Sequence, residues 1–545
     1  MKICFRLFLC HFLIFMSSAS MQAQTLQSTL DSMFLSVFSA RAPGGVVLVS
    51  RAGQPLYYKA FGLANLESGA PMTTDHVFRL GSITKQFTAV SILQLVEKGK
   101  LSLSDSLSKF IPDYPNGGRI TIEYLLGHTA GVKNYTALPA FTEQLKRQDL
   151  SPKQLIALFK DQPLDFEPGS NQLYSNSGYI LLGYIIERVS GRTYEQFVQE
   201  NIFKPLHMDH TSYDDTRQII SNRLAGYRGG NGNYVNAPYL SMTLPYAAGS
   251  LLSTAGDLLK WYTALSAGHI ISNESLEKAF TSFVLPNGEE TGYGYGWEIG
   301  NIQGSKSVKH TGVVNGFFTD VVYMPAEKIL VAVLSNNEYN SNLDISASKA
   351  AAAALGRPYR FDKIALSDKE RHSYQSGYLN ADEGERFIAD QDGELYHYTR
   401  GGNKVLLIPY QKDAFNMERT LNTILFSRDS KGNIEGYQIK GVGNTRIWKK
   451  SKVPFAVPQK IKLPQKVLEA YIGKYAFGKM VFEVFLQDGQ LYGRMGQDQK
   501  VLFPFGKNKF YAKDLDAVLI FNSDKKGIVI SVTKVQNSEM VGFRM

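Results

Sequence analysis

The run Phe78-Arg79-Leu80-Gly81-Ser82-Ile83-Thr84-Lys85-Gln86-Phe87 decides how this chain is read. Over residues 82–98 apolar side chains occupy most faces of a helix: Ile83, Phe87, Ala89, Val90, Ile92, Leu93, Leu95 and Val96. A surface helix carries one apolar stripe, whereas a helix apolar nearly all round is buried inside a domain. Ser82 and Lys85 stand at its start, three residues apart and on one face. A serine is a poor nucleophile until a base takes its proton, and a lysine stripped of water can be that base. The spacing alone carries little, because Ser-x-x-Lys recurs at Ser106, Ser275, Ser346, Ser523 and Ser531. Context sets Ser82 apart: a glycine before it, a strand-to-helix transition, and an apolar helix behind.

Working outward, residues 26–62 open with a short helical pattern. Two β-rich runs, 45–50 and 56–61, follow, joined around Ala52-Gly53 as a hairpin. Residues 177–190 repeat the buried-helix pattern. Strand patterns return at 293–299, 308–311, 317–324 and 329–334, and an Ala-rich helix over 346–355 stops at Gly356 with Pro358 just beyond. The span 24–360 is thus expected to form one α/β (α+β) domain, an antiparallel sheet flanked by helices with a helical insertion in its middle.

The remainder is β-rich and repeats itself. Tyr374 and Tyr378 answer Tyr471 and Tyr475. Gln391-Asp392-Gly393-Glu394-Leu395-Tyr396 answers Gln487-Asp488-Gly489-Gln490-Leu491-Tyr492. Pro409, Phe415, Phe426 and Gly432 answer Pro504, Phe510, Phe521 and Gly527. Two tandem antiparallel β-barrel modules are expected, 361–450 and 451–545, the second entered through a linker stiffened by Pro454, Pro458 and Pro464.

Composition narrows the function. The chain has 545 residues, 44% hydrophobic and 20% charged, as ordinary globular proteins have. No internal apolar run approaches the ~20 residues of a membrane span. Residues 1–23 differ: Lys2 and Arg6 precede a mostly apolar stretch and small residues up to Ala23, the pattern of a secretory signal peptide. Cys4 and Cys10, the two cysteines of the sequence, lie inside it. A mature chain without cysteine has no disulfide, thiol nucleophile or thiolate metal site, and an exported chain of this kind suits the bacterial periplasm. The net charge of +10 is uneven: residues 24–360 hold 28 basic and 28 acidic side chains, whereas 451–545 carry a surplus of +7. No nucleic-acid-binding motif accompanies that surplus.

Two further motifs carry chemistry. Tyr174-Ser175-Asn176 precedes the second buried helix and offers a phenol and an amide. His310-Thr311-Gly312 closes a strand-like run; glycine lets another backbone approach, and the next N–H, from Val313, can point at a substrate oxygen if the strand is an edge. Taken singly, each is more often structural than catalytic. The order Ser82, Tyr174, His310 together resembles the class C-like branch of the serine β-lactamase and penicillin-binding-protein superfamily. Leu125-Leu126-Gly127-His128-Thr129-Ala130-Gly131, Phe166-Glu167-Pro168-Gly169 and Pro205-Leu206-His207-Met208 match its phrases too, so the resemblance covers about 28–356. The tail modules look like the lipocalin-type barrels appended to some members, among them D-aminopeptidases.

The resemblance implies that Ser82 is acylated and that Lys85 and Tyr174 share acid–base work. It implies that Asn176 bonds Lys85 or the substrate amide, that His310, Thr311 and Gly312 line the substrate strand, and that the N–H groups of Ser82 and Val313 form the oxyanion hole. No metal or other cofactor is implied. The expected activity is hydrolysis of amide or ester bonds in small substrates, favouring peptides with D-amino acids. A carboxylesterase or weak β-lactamase is the alternative within enzymes, and a non-catalytic envelope binder is the rival from another class. One departure stands out: many β-lactamases have Lys-Thr-Gly where this chain has His310-Thr311-Gly312. A permanent cation for a substrate carboxylate is replaced by a side chain expected to be charged part of the time. Oligomeric state is not legible.

Overall fold

The computed structural model describes residues 24–230, 232–340, 343–359, 363–380, 384–399, 404–418, 420–441, 446–451, 461–477, 480–495, 498–512, 518–535 and 539–545. Residues 1–23, read above as an expected signal peptide and holding both cysteines, and Pro454 and Pro458 lie outside these residues. Two compact units divide the chain between residues 359 and 360.

The first unit is built on a six-stranded antiparallel sheet. Its strands are β1 (Gly45–Arg51), β2 (Gln54–Phe61), β3 (Glu298–Ile302), β4 (Ser305–Val314), β5 (Phe317–Met324) and β6 (Ile329–Ser335), in the order β3-β4-β5-β6-β1-β2. The β1–β2 turn places Ala52 and Gly53 at φ +49° and +78°, the left-handed pair that a two-residue hairpin needs. The central strands β1 and β6 read as unbroken apolar runs because both faces are covered. Val47, Val49, Val331 and Val333 pack under α1 (residues 24–37) and α5 (Leu343–Ala354). Val46, Leu48, Ala332 and Leu334 face the larger core, which holds α2 (Thr84–Glu97), α3 (Asn176–Ser190) and α4 (Ala255–Ser266). In α2 every residue from Thr84 to Leu95 is buried, as the all-round apolar pattern requires.

One stretch departs from expectation. Residues 293–297 do not join the strand; β3 starts at Glu298. Glycines explain it. A Cβ on Gly294 would stand 2.1 Å from the Ala279 carbonyl oxygen, and one on Gly296 2.9 Å from that of Lys85. The segment is pressed against other backbone rather than extended beside β4.

The second unit holds two closed eight-stranded antiparallel barrels, from Ser376–Asn380 to Arg446–Lys450 and from Gly473–Phe477 to Glu539–Arg544. Both are filled with side chains. Tyr374, Tyr378, Phe415, Phe426, Tyr437 and Trp448 occupy the first, and Tyr471, Tyr475, Phe510 and Phe521 answer in the second. The repeat extends to single hydrogen bonds: the Tyr378 hydroxyl donates to the Tyr374 carbonyl at 2.7 Å, and Tyr475 to Tyr471 at 2.8 Å. The repeated Asp-Gly pairs, Asp392-Gly393 and Asp488-Gly489, are hairpin turns with positive φ at all four residues. Among the described residues no helix is long and apolar enough to cross a membrane.

Candidate active site

Ser82 sits in a 3-10 turn, Gly81–Ile83, that leads into α2. The turn is anchored at Leu80, whose N–H donates to the Leu251 carbonyl at 2.8 Å and whose carbonyl accepts from the Thr319 hydroxyl at 2.9 Å. Gly81 has φ +54°, which reverses the chain into the helix. Ser82 keeps partial solvent exposure while Lys85, one turn on, is fully buried.

Lys85 Nζ has three oxygen neighbours: Ser82 Oγ at 3.0 Å, Asn176 Oδ1 at 2.8 Å and the Ala248 carbonyl at 2.9 Å. Burial holds its amine well below the usual lysine range. Asn176 Oδ1 and the Ala248 carbonyl can only accept. In the neutral amine both remaining protons therefore go to them, and the lone pair faces Ser82. The Tyr174 ring lies 4.7 Å from Nζ, and its phenol is held above the usual range by burial, with the Ser82 hydroxyl bonded to it opposing the shift. Asn176 opens α3, so the helix that carries the amide also ends the loop that carries the phenol.

β4 brings the third group. β3 pairs with β4 only as far as Lys309, so residues 310–314 are an edge on that side. The two-residue turn between Val314 and Phe317 makes that pair exchange hydrogen bonds, and alternation then turns the Val313 N–H to the open edge. Gly81 lies against it: a Cβ there would stand 2.9 Å from Val313 N. A Cβ on Gly312 would stand 2.0 Å from the Leu80 carbonyl oxygen, so strand and Ser82 turn meet through two glycines. The Val313 side chain itself is exposed.

His310 is buried, with Nδ1 donating to the Thr311 carbonyl at 2.7 Å and Nε2 accepting from the Tyr293 hydroxyl at 2.9 Å. Burial, and the nearby Lys85, push it down to about 3. The part-time charge expected of His310 is therefore corrected: the imidazole is neutral at neutral pH, because burial and the hydrogen bond that Nε2 accepts from Tyr293 favour the uncharged ring and outweigh the opposing pull of the Thr311 carbonyl. The Thr311 hydroxyl donates across the sheet to Asp320 Oδ1 at 2.8 Å.

Sequence reading missed Ala248, Tyr293 and Asp320 as contributors. Ala248 acts through its backbone and so has no side-chain signal. Tyr293 was assigned to a strand. Asp320 is the one charged residue in a largely apolar strand, the one signal that was available.

Asp320 is wholly buried, and burial raises its carboxyl to about 7, against the opposing pull of Lys309. An unfolded carboxyl titrates near ~3.9. Between these values the folded chain holds a proton that the unfolded chain has lost, so Asp320 lowers stability as pH rises from about 4 to about 7. Asp320→Asn keeps an acceptor for Thr311 and cannot ionise. Its thermal midpoint is expected to gain on wild type as pH rises through that window, and pH curves that stay parallel would refute this.

The beta-lactamase family model matches residues 23–355. A penicillin-binding protein of Bacillus subtilis (strain 168) is 30% identical over 417 residues, covering 72% of this chain and 92% of its own. Among solved structures, a D-stereospecific amidohydrolase from Streptomyces is 27% identical with a TM-score of 0.53, over 59% of this chain and 98% of its own. An octameric penicillin-binding protein homologue from Pyrococcus abyssi is 25% identical with a TM-score of 0.54, over 87% and 99%. On the matched family and on the shared fold, this chain belongs to the beta-lactamase family, as a serine hydrolase related to the penicillin-binding proteins.

Proposed function

We propose that the chain is an exported, periplasmic acyl-serine hydrolase that cleaves amide or ester bonds, with D-amino-acid-containing peptides and amides as its substrate class. The observation that carries the reaction type is Lys85 Nζ, desolvated and 3.0 Å from Ser82 Oγ, with its other two partners pure acceptors. Neutral Lys85 takes the Ser82 proton as Oγ bonds the scissile carbonyl carbon. The carbonyl electron pair moves to oxygen, and the N–H groups of Ser82 and Val313 hold the oxyanion. Donors of this kind are each worth roughly 3–4 kcal/mol to the transition state. The carbon–nitrogen bond then breaks, and the leaving amine takes the proton from Lys85 through the Tyr174 phenol. Water then bonds the acyl carbon as its proton passes along the same route to Ser82 Oγ, the acyl–Oγ bond breaks, and the carboxylic acid product leaves. With its phenol held above the usual range, Tyr174 enters protonated and serves as carrier rather than first base.

Neutral His310 supports the substrate class. A substrate carboxylate meets no cation from this position, which favours amides, esters and peptides cleaved away from their C-terminal carboxylate over penicillins. The likeness to a D-stereospecific amidohydrolase supports the D-configuration. A carboxylesterase is the second reading, since an ester also lacks the carboxylate. Export rests on the pattern of residues 1–23.

The test is an intact-mass time course on wild type and Ser82→Ala, each mixed with D-phenylalanine amide, its L-isomer, a p-nitrophenyl ester or a penicillin. Hydrolysis of the D-amide faster than the other amide and the penicillin, absent from Ser82→Ala, is the expected result. Hydrolysis of the p-nitrophenyl ester alone moves the assignment to the esterase. A penicillin turned over fastest, or Ser82→Ala active, overturns it.

A further inference from the structure

Tyr174 carries a reacting phenol but belongs to no helix or strand; residues 171–175 are irregular. Something else must fix it, because misplacing a reacting group by ~1 Å costs about 100-fold in rate. The residues on either side of Tyr174 both donate their backbone N–H to one residue. Leu173 N–H reaches the His128 carbonyl at 3.0 Å, and Ser175 N–H reaches His128 Nδ1 at 3.2 Å. The His128 ring lies against the Tyr174 ring, centroid to centroid 4.3 Å. One residue can offer its carbonyl and its ring to the same segment because its backbone is left-handed, φ +60°. That conformation is uncommon outside glycine, though histidine and asparagine adopt it more readily than most residues.

We propose that His128 is a positioning residue that holds Tyr174 at Ser82 and Lys85 by bracketing it between two backbone hydrogen bonds. The bracket needs an imidazole with a free lone pair on Nδ1. Burial, with Lys85 and His310 nearby, pushes His128 well below the usual imidazole range, so the ring stays neutral and Nδ1 stays an acceptor. Nε2 is buried with no hydrogen-bond partner among the described residues, the ring lying 4.7 Å from that of Tyr293 and 5.1 Å from that of Tyr179. The side-chain hydrogen bonding of His128 is thus spent on the Tyr174 loop. The inference rests on the reading that Tyr174 carries protons.

The experiment uses the full chain and an activated ester, and compares wild type, Tyr174→Phe, His128→Leu, His128→Asn and the Tyr174→Phe/His128→Leu double variant. His128→Leu is expected to lower kcat by roughly 10- to 100-fold with KM changed by less than about 2-fold. Asn places Oδ1 where Nδ1 stood and suits the left-handed backbone, so His128→Asn is expected to recover kcat to within about 3-fold of wild type. In the Tyr174→Phe background, His128→Leu is expected to add less than about 2-fold, since the phenol it positions is already gone. A loss of equal size in both backgrounds overturns the proposal, as does His128→Asn falling with His128→Leu at an unchanged thermal midpoint. Wild-type activity in Tyr174→Phe overturns the proton-carrier reading, and this inference with it. Should His128→Leu not fold, His128→Gly takes its place, since glycine accepts φ +60° and offers no ring.

Discussion

Lys85→Met is expected to slow acylation of Ser82 by at least ~10³-fold while the protein still melts cooperatively. Methionine follows the lysine stem through the core but brings no basic lone pair, so the Ser82 hydroxyl has no acceptor for its proton. The structural cost is bounded. Asn176 Oδ1 and the Ala248 carbonyl each lose a partner, worth about 1–3 kcal/mol per group, and removal of a buried amine offsets part of this. Lys85→Arg is the companion variant, since a guanidinium keeps its charge and cannot take a proton. Wild-type acylation should weaken as pH falls through the lowered pKa of Lys85, because the protonated amine has no lone pair. Stability shows the matching trend. The folded state binds fewer protons than the unfolded one between that pKa and the ordinary lysine value near ~10.4, so Lys85 detracts less from stability as pH rises across the window. Intact mass against time with an activated ester gives the rate. A Lys85→Met rate within about tenfold of wild type would show that Tyr174 or water suffices as base.

Gly312→Ala is the second large effect expected, and it acts without touching a reacting side chain. The new methyl would stand 2.0 Å from the Leu80 carbonyl oxygen and 2.4 Å from Thr319 Oγ1, both members of the hydrogen bond that anchors the Ser82 turn. Backbone cannot yield as a flexible side chain can, so β4 must move off the turn and take the Val313 N–H with it. Loss of one oxyanion donor lowers kcat by about 10²–10³-fold, and the displaced strand lowers the thermal midpoint as well. Gly118→Ala is the control, its nearest contact being 3.9 Å away at Ser108 Oγ, and it should leave both quantities unchanged. Acylation by Gly312→Ala at the wild-type rate would mean that Val313 does not serve the oxyanion.

The parts of the fold written as periodicity were readable in advance. The helix behind Ser82 announced its burial by being apolar on most faces, and the two barrels announced themselves by a repeat whose aromatic residues now fill both interiors. What periodicity does not encode was missed or misread. The segment 293–297 has the side chains of a strand, but its glycines are there to touch other backbone. The state of His310 depends on burial and on Tyr293 and Lys85, which no local pattern reports. His128 stood in a phrase that helped to identify the family, yet its contact with the Tyr174 loop spans 47 residues of chain.

The pairings that close each body join its earliest strand to its latest. Gly45 pairs with Ser335, Tyr378 with Lys450 and Tyr475 with Arg544. On the ribosome, β1 and β2 therefore emerge long before β6 exists. At ~5–20 residues per second the wait is on the order of 15–60 s, with the open edge of β1 exposed throughout. Each barrel waits only about 4–15 s for its eighth strand at the same rate. The period of greatest risk from edge-to-edge aggregation thus falls during synthesis of the hydrolase unit, before either barrel has been made.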